Sequence, residues 1–216
     1  MVQAVDDAIF QRHLEKMPDE KLYKEDYTED SLGLELFQAG ISNKNIEDIL
    51  RALQQAARLC YWYESAQRNS NPSQYHQRAP SEHEIVSHVI LPLFLGLGWS
   101  HQQMGVEWNR VDIAFFKAAP RTKENCVMVL EAKGLGRPLG EVLEQAENYV
   151  NSLDLKNTRY ILTTDGANLF VYHRSGSNWD RNPIGYINVS RLRKNYILPR
   201  NTDLVKTLVK LQPSMV

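Results

Sequence analysis

The stretch from 110 to 133 constrains this chain most. It reads Arg110-Val111-Asp112-Ile113-Ala114-Phe115-Phe116, a polar break containing Pro120, then Cys126-Val127-Met128-Val129-Leu130-Glu131-Ala132-Lys133. Both runs are short, apolar and rich in β-branched and aromatic residues, the pattern of two adjacent strands. Side chains alternate along a strand, so Glu131 and Lys133 share a face and Ala132 points the other way. An antiparallel hairpin brings Asp112 beside them. Two acids and a lysine at one sheet edge are costly unless a cation sits among them.

The flanking sequence supplies the rest of a small sheet and its cover. Residues 1–40 read as short helical pieces, broken by Pro18 and an acidic patch from 19 to 30, without evident chemistry. Ile46, Ile49, Leu50, Leu53, Ala56, Ala57 and Cys60 recur at helical spacing, which predicts a helix over 42–67 capped by Asn45 with Asp48. Tyr61, Trp62 and Tyr63 at its end read as core or interface. The polar run 68–74 reads as a linker, so the chain divides into a helical N-terminal extension, 1–80, and a domain, 81–216. Ser81 and Glu84 make a capping box at the next helix start. Glu82 shares a helical face with Ile85, Val86, Val89 and Leu93, where a carboxylate needs a partner, a cation or an exit to solvent. A first-turn acid favoured by the helix dipole explains it equally well. Pro92 bends this helix and Gly96 and Gly98 end it.

Strands are expected over 103–108, 111–117 and 126–133. A glycine-rich turn at 134–140 leads into a helix over 139–153, where Gln145 and Tyr149 are neighbours four residues apart. A hairpin pairs 159–164 with 167–173 around Asp165-Gly166. A short strand at 184–189 and a closing helix at 203–211 complete the chain. The order from 81 is α-β-β-β-α-β with strands appended, a mixed α/β sandwich around a small sheet.

A chain of 216 residues, 43% hydrophobic and 24% charged, reads as soluble and globular, with no apolar run of membrane-spanning length. The N-terminus lacks a signal-peptide pattern, and Cys60 and Cys126 lie too far apart to suggest a zinc site or a disulfide framework. Together these point to a reducing cytoplasm. The net charge of -1 conceals an acidic 1–80 and a basic 133–216. A basic part suits a phosphate-backbone partner, and solvated surface explains it as well.

Several chemistries are struck out by spacing. The run Gly134-Leu135-Gly136-Arg137-Pro138-Leu139-Gly140 lacks both the Gly-Lys-Ser/Thr of a P-loop and the GxGxxG of a dinucleotide fold. His83 and His88 are five apart rather than the four of a helical zinc pair, and lone histidines read as structural. Asp112, Glu131 and Lys133 remain. Magnesium takes oxygen ligands, typically one or two carboxylates completed by water and phosphate oxygens. Asp112 and Glu131 supply carboxylates, and the backbone carbonyl of Ala132 between Glu131 and Lys133 adds another oxygen. Lys133 would orient or deprotonate a water and stabilise charge on phosphorus. That set describes a metal-assisted phosphodiester hydrolase.

These residues resemble the PD-(D/E)XK nuclease superfamily, whose pattern is an acid on one strand and (D/E)-x-K on the next. Asp112 and Glu131-Ala132-Lys133 match it, Gln145 and Tyr149 match the Gln-x-x-x-Tyr of some branches, and Glu82 matches an acid carried on the first helix. Within the superfamily the chain is most similar to the N-terminal nuclease domain of type I restriction endonuclease R subunits. Leu97-Gly98-Trp99, Arg110-Val111-Asp112, Gln145-Ala146-Glu147-Asn148-Tyr149 and Thr164-Asp165-Gly166 carry that likeness, over roughly 81–173. The resemblance implies a restriction-endonuclease-like αβββαβ core and Mg²⁺, or Mn²⁺ in its place. DNA is the implied substrate, cut endonucleolytically in restriction or defence. It assigns Asp112, Glu131, Lys133 and Glu82 to catalysis, with Glu82 a metal ligand directly or through water, and Gln145 and Tyr149 to site support and substrate contact. No helicase or translocase motor is in this chain, so one on a separate subunit is the implied partner; a membrane is not, and oligomeric state is left open. A second reading keeps the nuclease fold as a silent module that binds nucleic acid or a protein. A third makes Asp112–Lys133 a structural ion pair in a small-molecule domain.

Overall fold

The structure, a computed structural model, describes residues 27–68, 80–189 and 204–216. Helix α1 spans Glu29–Gln38 and opens where the acidic patch ends. There Thr28 and Ser31 exchange hydrogen bonds as a capping box. Helix α2, Asn43–Arg68, buries the stripe of Ile46, Ile49, Leu53, Ala56, Ala57 and Cys60. Its cap differs from the sequence expectation. The helix begins ahead of Asn45, so Asn45 contributes an unpaired first-turn N–H rather than a cap, and the Ser42 hydroxyl accepts it at 3.4 Å. Asp48 instead pairs with Arg51. Tyr63 is buried; the side chains of Tyr61 and Trp62, most of the expected linker and residues 1–26 lie outside the described residues.

Helix α3 consists of Glu82–Ile85, a π-helical Val86–Ile90 and Leu91–Gly96. Its N-cap is as expected, with Ser81 accepting from the Glu84 N–H and Glu84 accepting from the Ser81 N–H. Pro92 accounts for the wide turn. It has no N–H to offer and its ring presses on the carbonyl four residues back; widening the preceding turn, with Leu91 N–H donating to Val86, lets the helix continue. At its far end α3 crosses α2 closely. A Cβ on Gly96 would stand 2.9 Å from the Asp48 carbonyl oxygen.

The strands are β1 (Met104–Trp108), β2 (Val111–Phe116), β3 (Cys126–Ala132), β4 (Tyr160–Thr164), β5 (Asn168–Ser175), β6 (Asn178–Trp179) and β7 (Gly185–Asn188), with α4 (Val142–Ser152) between β3 and β4 and α5 (Leu204–Lys210) at the end. α4 begins three residues later than expected because Pro138 and Gly140 hold the entry as a turn. The sheet runs β1-β2-β3-β4-β5-β6, with β7 also on β5. β3 and β4 are parallel and the other described pairs antiparallel. The protein is therefore mixed α/β around a mostly antiparallel open sheet. One face, through Ile113, Phe115, Met128, Leu130 and Leu162, shares a core with buried residues of α1, α2, α3 and α5. The other, through Ala114, Phe116, Val129, Ile161 and Phe170, packs on Val142, Leu143, Ala146 and Val150 of α4. Among the described residues no helix is long and apolar enough to cross a membrane.

The β4–β5 turn fixes the start of α3. Gly166 has φ +87, and a Cβ there would meet Ile85 Cδ1 at 2.6 Å. Gly166→Ala should cost about 2 kcal/mol or more, from left-handed backbone and overpacking combined. Urea unfolding measures it, and a loss below about 0.5 kcal/mol, the scale of a neutral surface change, would contradict this account.

Candidate active site

The β2–β3 register sets Ile113 against Leu130. One step further along the ladder, Asp112 faces Glu131, and both point toward α4, like Ala114 and Val129. Lys133 follows β3 on that same face, and its N–H is fixed by the Thr164 carbonyl of β4 at 2.7 Å. The hairpin and the parallel β3–β4 pair thus bring the three residues together at one end of the sheet.

Asp112 Oδ2 accepts the Ala132 N–H at 2.6 Å. Backbone N–H and C=O of one strand residue point the same way, so the Ala132 carbonyl is also turned toward the Asp112 strand. Glu131 is 3% exposed. Gln145 Nε2 of α4 donates to its Oε1, and Lys133 Nζ lies 3.4 Å from the same oxygen. Both donors thus converge on Oε1. Glu131 Oε2 is buried and has no hydrogen-bond partner among the described residues. Gln145 Nε2 also reaches Tyr149 Oη at 3.2 Å, so the two α4 residues form one bracket behind Glu131.

Glu82 does not bury with Ile85 and Val86. Its side chain is 48% exposed, and its carboxylate lies 3.8 Å from Lys133 Nζ. The first turn of α3 is at the rim, so the acid leaves the core and faces the lysine from the opposite side. Lys133 therefore stands between Glu82 and Glu131. Among the described residues no three His, Cys, Asp or Glu side chains converge as a ligand set; Asp112 and Glu131 are a two-carboxylate site, with Glu82 set apart across Lys133.

Burial dominates the electrostatics. It pushes the Asp112 carboxyl above the ordinary range, opposed by the Ala132 N–H and Lys133, with Glu82 adding to the rise. Glu131 is pushed up to about 7, first by burial and then by the Asp112 charge, against the pull of Lys133. A buried carboxylate with a bare oxygen suits an oxygen-seeking cation, and two carboxylates is the number magnesium commonly takes.

Some of this support was missed in the sequence. Thr164 anchors Lys133 through its carbonyl, and its hydroxyl donates to Asn168 O at 2.7 Å, bracing the next turn. The parallel β3–β4 pairing that places it there joins segments separated by a whole helix and leaves no local mark. His83, read as merely structural, reaches Glu107 Oε1 at 2.9 Å and ties the β1–β2 hairpin to α3. The hairpin tip places Asn109 and Arg110 at positive φ, 51 and 76; the asparagine beside a two-residue turn was the signal for it. An open cavity of about 520 Å³ runs along α4, lined by Glu141, Glu144, Gln145, Asn148 and Tyr149.

A mixed α/β sheet with opposed carboxylates and a lysine at one end defines the class of site. Comparison with protein-family models, curated proteins and solved structures returns no match.

Proposed function

We propose that the protein is a magnesium-dependent deoxyribonuclease of PD-(D/E)XK type, built on a restriction-endonuclease-like core. The observation that carries this reading is Glu131, whose Oε2 is buried with no hydrogen-bond partner among the described residues, on a residue that stands opposite Asp112 in the hairpin and has Lys133 at its other oxygen. Asp112 and Glu131 would hold the cation with the Ala132 carbonyl. Bound there, Mg²⁺ or Mn²⁺ supplies a polarised phosphoryl oxygen and a water of lowered pKa. Gln145 keeps Oε1 occupied, which would leave Oε2 to hold the ion, and Tyr149 steadies Gln145. Lys133 Nζ lies beside Glu131 and orients the attacking water or meets the charge growing on the phosphate. Glu82 holds Lys133 from the solvent side.

DNA as substrate, endonucleolytic cutting in restriction or defence, and a motor on a separate chain follow from the family resemblance. Supercoiled plasmid incubated with the protein and Mg²⁺ or Mn²⁺ should be nicked or linearised, and EDTA should stop it. No cleavage by well-folded protein under any divalent metal would sink the reading. A second reading, the silent nucleic-acid- or protein-binding module, is favoured by Lys133 itself, whose ammonium already lies between the two glutamates. DNA binding without cleavage in wild type, retained in Asp112→Ala, would select it.

A further inference from the structure

The end of the sheet opposite the candidate site carries a different charge. β3 is seven residues long, so the two ends lie about 20 Å apart. The site end holds Glu82, Glu84, Glu107, Asp112, Glu131, Glu141 and Glu144 against Arg110, Lys133 and Arg137. At the far end Lys117 follows β2, Lys123 precedes β3 and Arg159 precedes β4, all three exposed. Neighbouring strands are about 4.8 Å apart, so the three cations stand at three adjacent strand ends, with Lys117 on the α1–α3 side of the sheet and Arg159 on the α4 side by alternation.

The rim that carries them is braced. Lys117 N–H donates to the Asn125 carbonyl at 2.8 Å, and Arg159 N–H to Val127 at 2.8 Å. Asn157 Nδ2 reaches the Glu124 carbonyl at 2.7 Å, which joins the β2–β3 loop to the loop ahead of β4. Arg174 acts as a strut, its guanidinium bonded to the Leu155 and Lys156 carbonyls and placed over the Trp179 ring. Two nearby acids are engaged elsewhere, Asp154 with Lys156 and Asp180 with Ser175, while Glu124 stands beside Lys123. The side chains of Lys117, Lys123 and Arg159 make no ion pair among the described residues.

We infer that this rim is a second nucleic-acid contact, in which Lys117, Lys123 and Arg159 hold the phosphate backbone of DNA away from the candidate active site. Exposed cations on a braced edge suit a phosphate backbone, and double-stranded DNA offers one charge per about 1.7 Å of axis. A protein partner fits less well, because interfaces are built around apolar and aromatic anchors. The exposed large apolar residues, Leu34, Phe37, Leu95, Val106 and Met215, all lie off this rim. The inference stands whether or not the other end cuts DNA.

The test is binding of a short fluorescent DNA duplex in EDTA, which prevents metal-dependent cleavage, across a series of salt concentrations. The triple variant Lys117→Ala, Lys123→Ala, Arg159→Ala should bind roughly tenfold more weakly at low salt and lower the log–log salt slope by about 3, one per phosphate contact. Arg58→Ala, an exposed cation of α2 rather than of this rim, should bind as wild type does. Should the triple variant misfold by circular dichroism, each single variant is expected to lower the slope by about 1. Unchanged affinity and slope would overturn the inference. So would an equal loss in Arg58→Ala, or equally tight wild-type binding to phosphatidylserine vesicles that the triple variant loses.

Discussion

Lys133→Ala should lower Mg²⁺-dependent plasmid cleavage by about 10²-fold or more while leaving the protein folded. The loss expected for removing a positioned charge or proton-transfer group from a transition state is of this size. Lys133 is suited to such a result because its ammonium contacts carboxylates at the rim rather than the core. Its ammonium touches Glu131 and Glu82 and its side chain stays 23% exposed. What fixes the residue is its backbone, through the Thr164 carbonyl, and alanine keeps that bond. Removing the ammonium also takes one of two donors from Glu131 Oε1, so the carboxyl becomes harder to ionise. Nicking rates across pH, compared with wild type and Lys133→Arg, separate the two effects. A loss that high pH restores reports Glu131 ionisation; one that persists at all pH reports the missing charge. Equal activity in Lys133→Ala and wild type would remove the lysine from the mechanism.

The hairpin was legible because alternation is a local rule. Knowing that Glu131 and Lys133 share a face needs only a strand, and Asp112 faces them once the strands are antiparallel. Gln145 and Tyr149 were legible for a similar reason, four residues apart on one helix, and α4 brings Gln145 to Glu131 and Tyr149 to Gln145. For Glu82 the same logic left a partner, a cation or an exit to solvent open, and the structure gives it solvent and Lys133. Helical periodicity placed it with Ile85 and Val89, but periodicity does not say where a helix stops covering the sheet, and the first turn overhangs the edge. Lys133's anchor on Thr164 was not legible, since parallel pairing joins strands across α4 and depends on packing of the whole sheet. The π turn in α3 was half legible. Pro92 announced a disturbance, but whether a helix kinks or widens is decided by what it packs on, here a core through Val86, Val89 and Ile90.

Glu131→Gln should change how stability depends on pH more than any other single substitution at the site. Glu131 binds its proton near pH 7 when folded and near the ordinary 4.5 when unfolded. Between those values the folded protein holds more protons than the unfolded chain, so wild-type stability falls as pH rises through that window. Below it the carboxyl is protonated in both states and contributes no pH dependence. Above it the folded state carries a buried charge whose cost reaches about 3 kcal/mol. Glutamine is neutral throughout. In EDTA, the stability of the variant relative to wild type should therefore rise by about 3 kcal/mol between pH 4.5 and pH 8, a relative gain in Tm of several degrees for a chain of this size. Mg²⁺ at pH 8 should then stabilise wild type by mass action and leave the variant unmoved, because the ion compensates the charge that glutamine lacks. Melting curves at the two pH values, with and without Mg²⁺, measure both differences. Parallel pH profiles for the two proteins would show that burial at Glu131 does not control its ionisation, and an equal response to Mg²⁺ would place the ion somewhere other than beside Oε2.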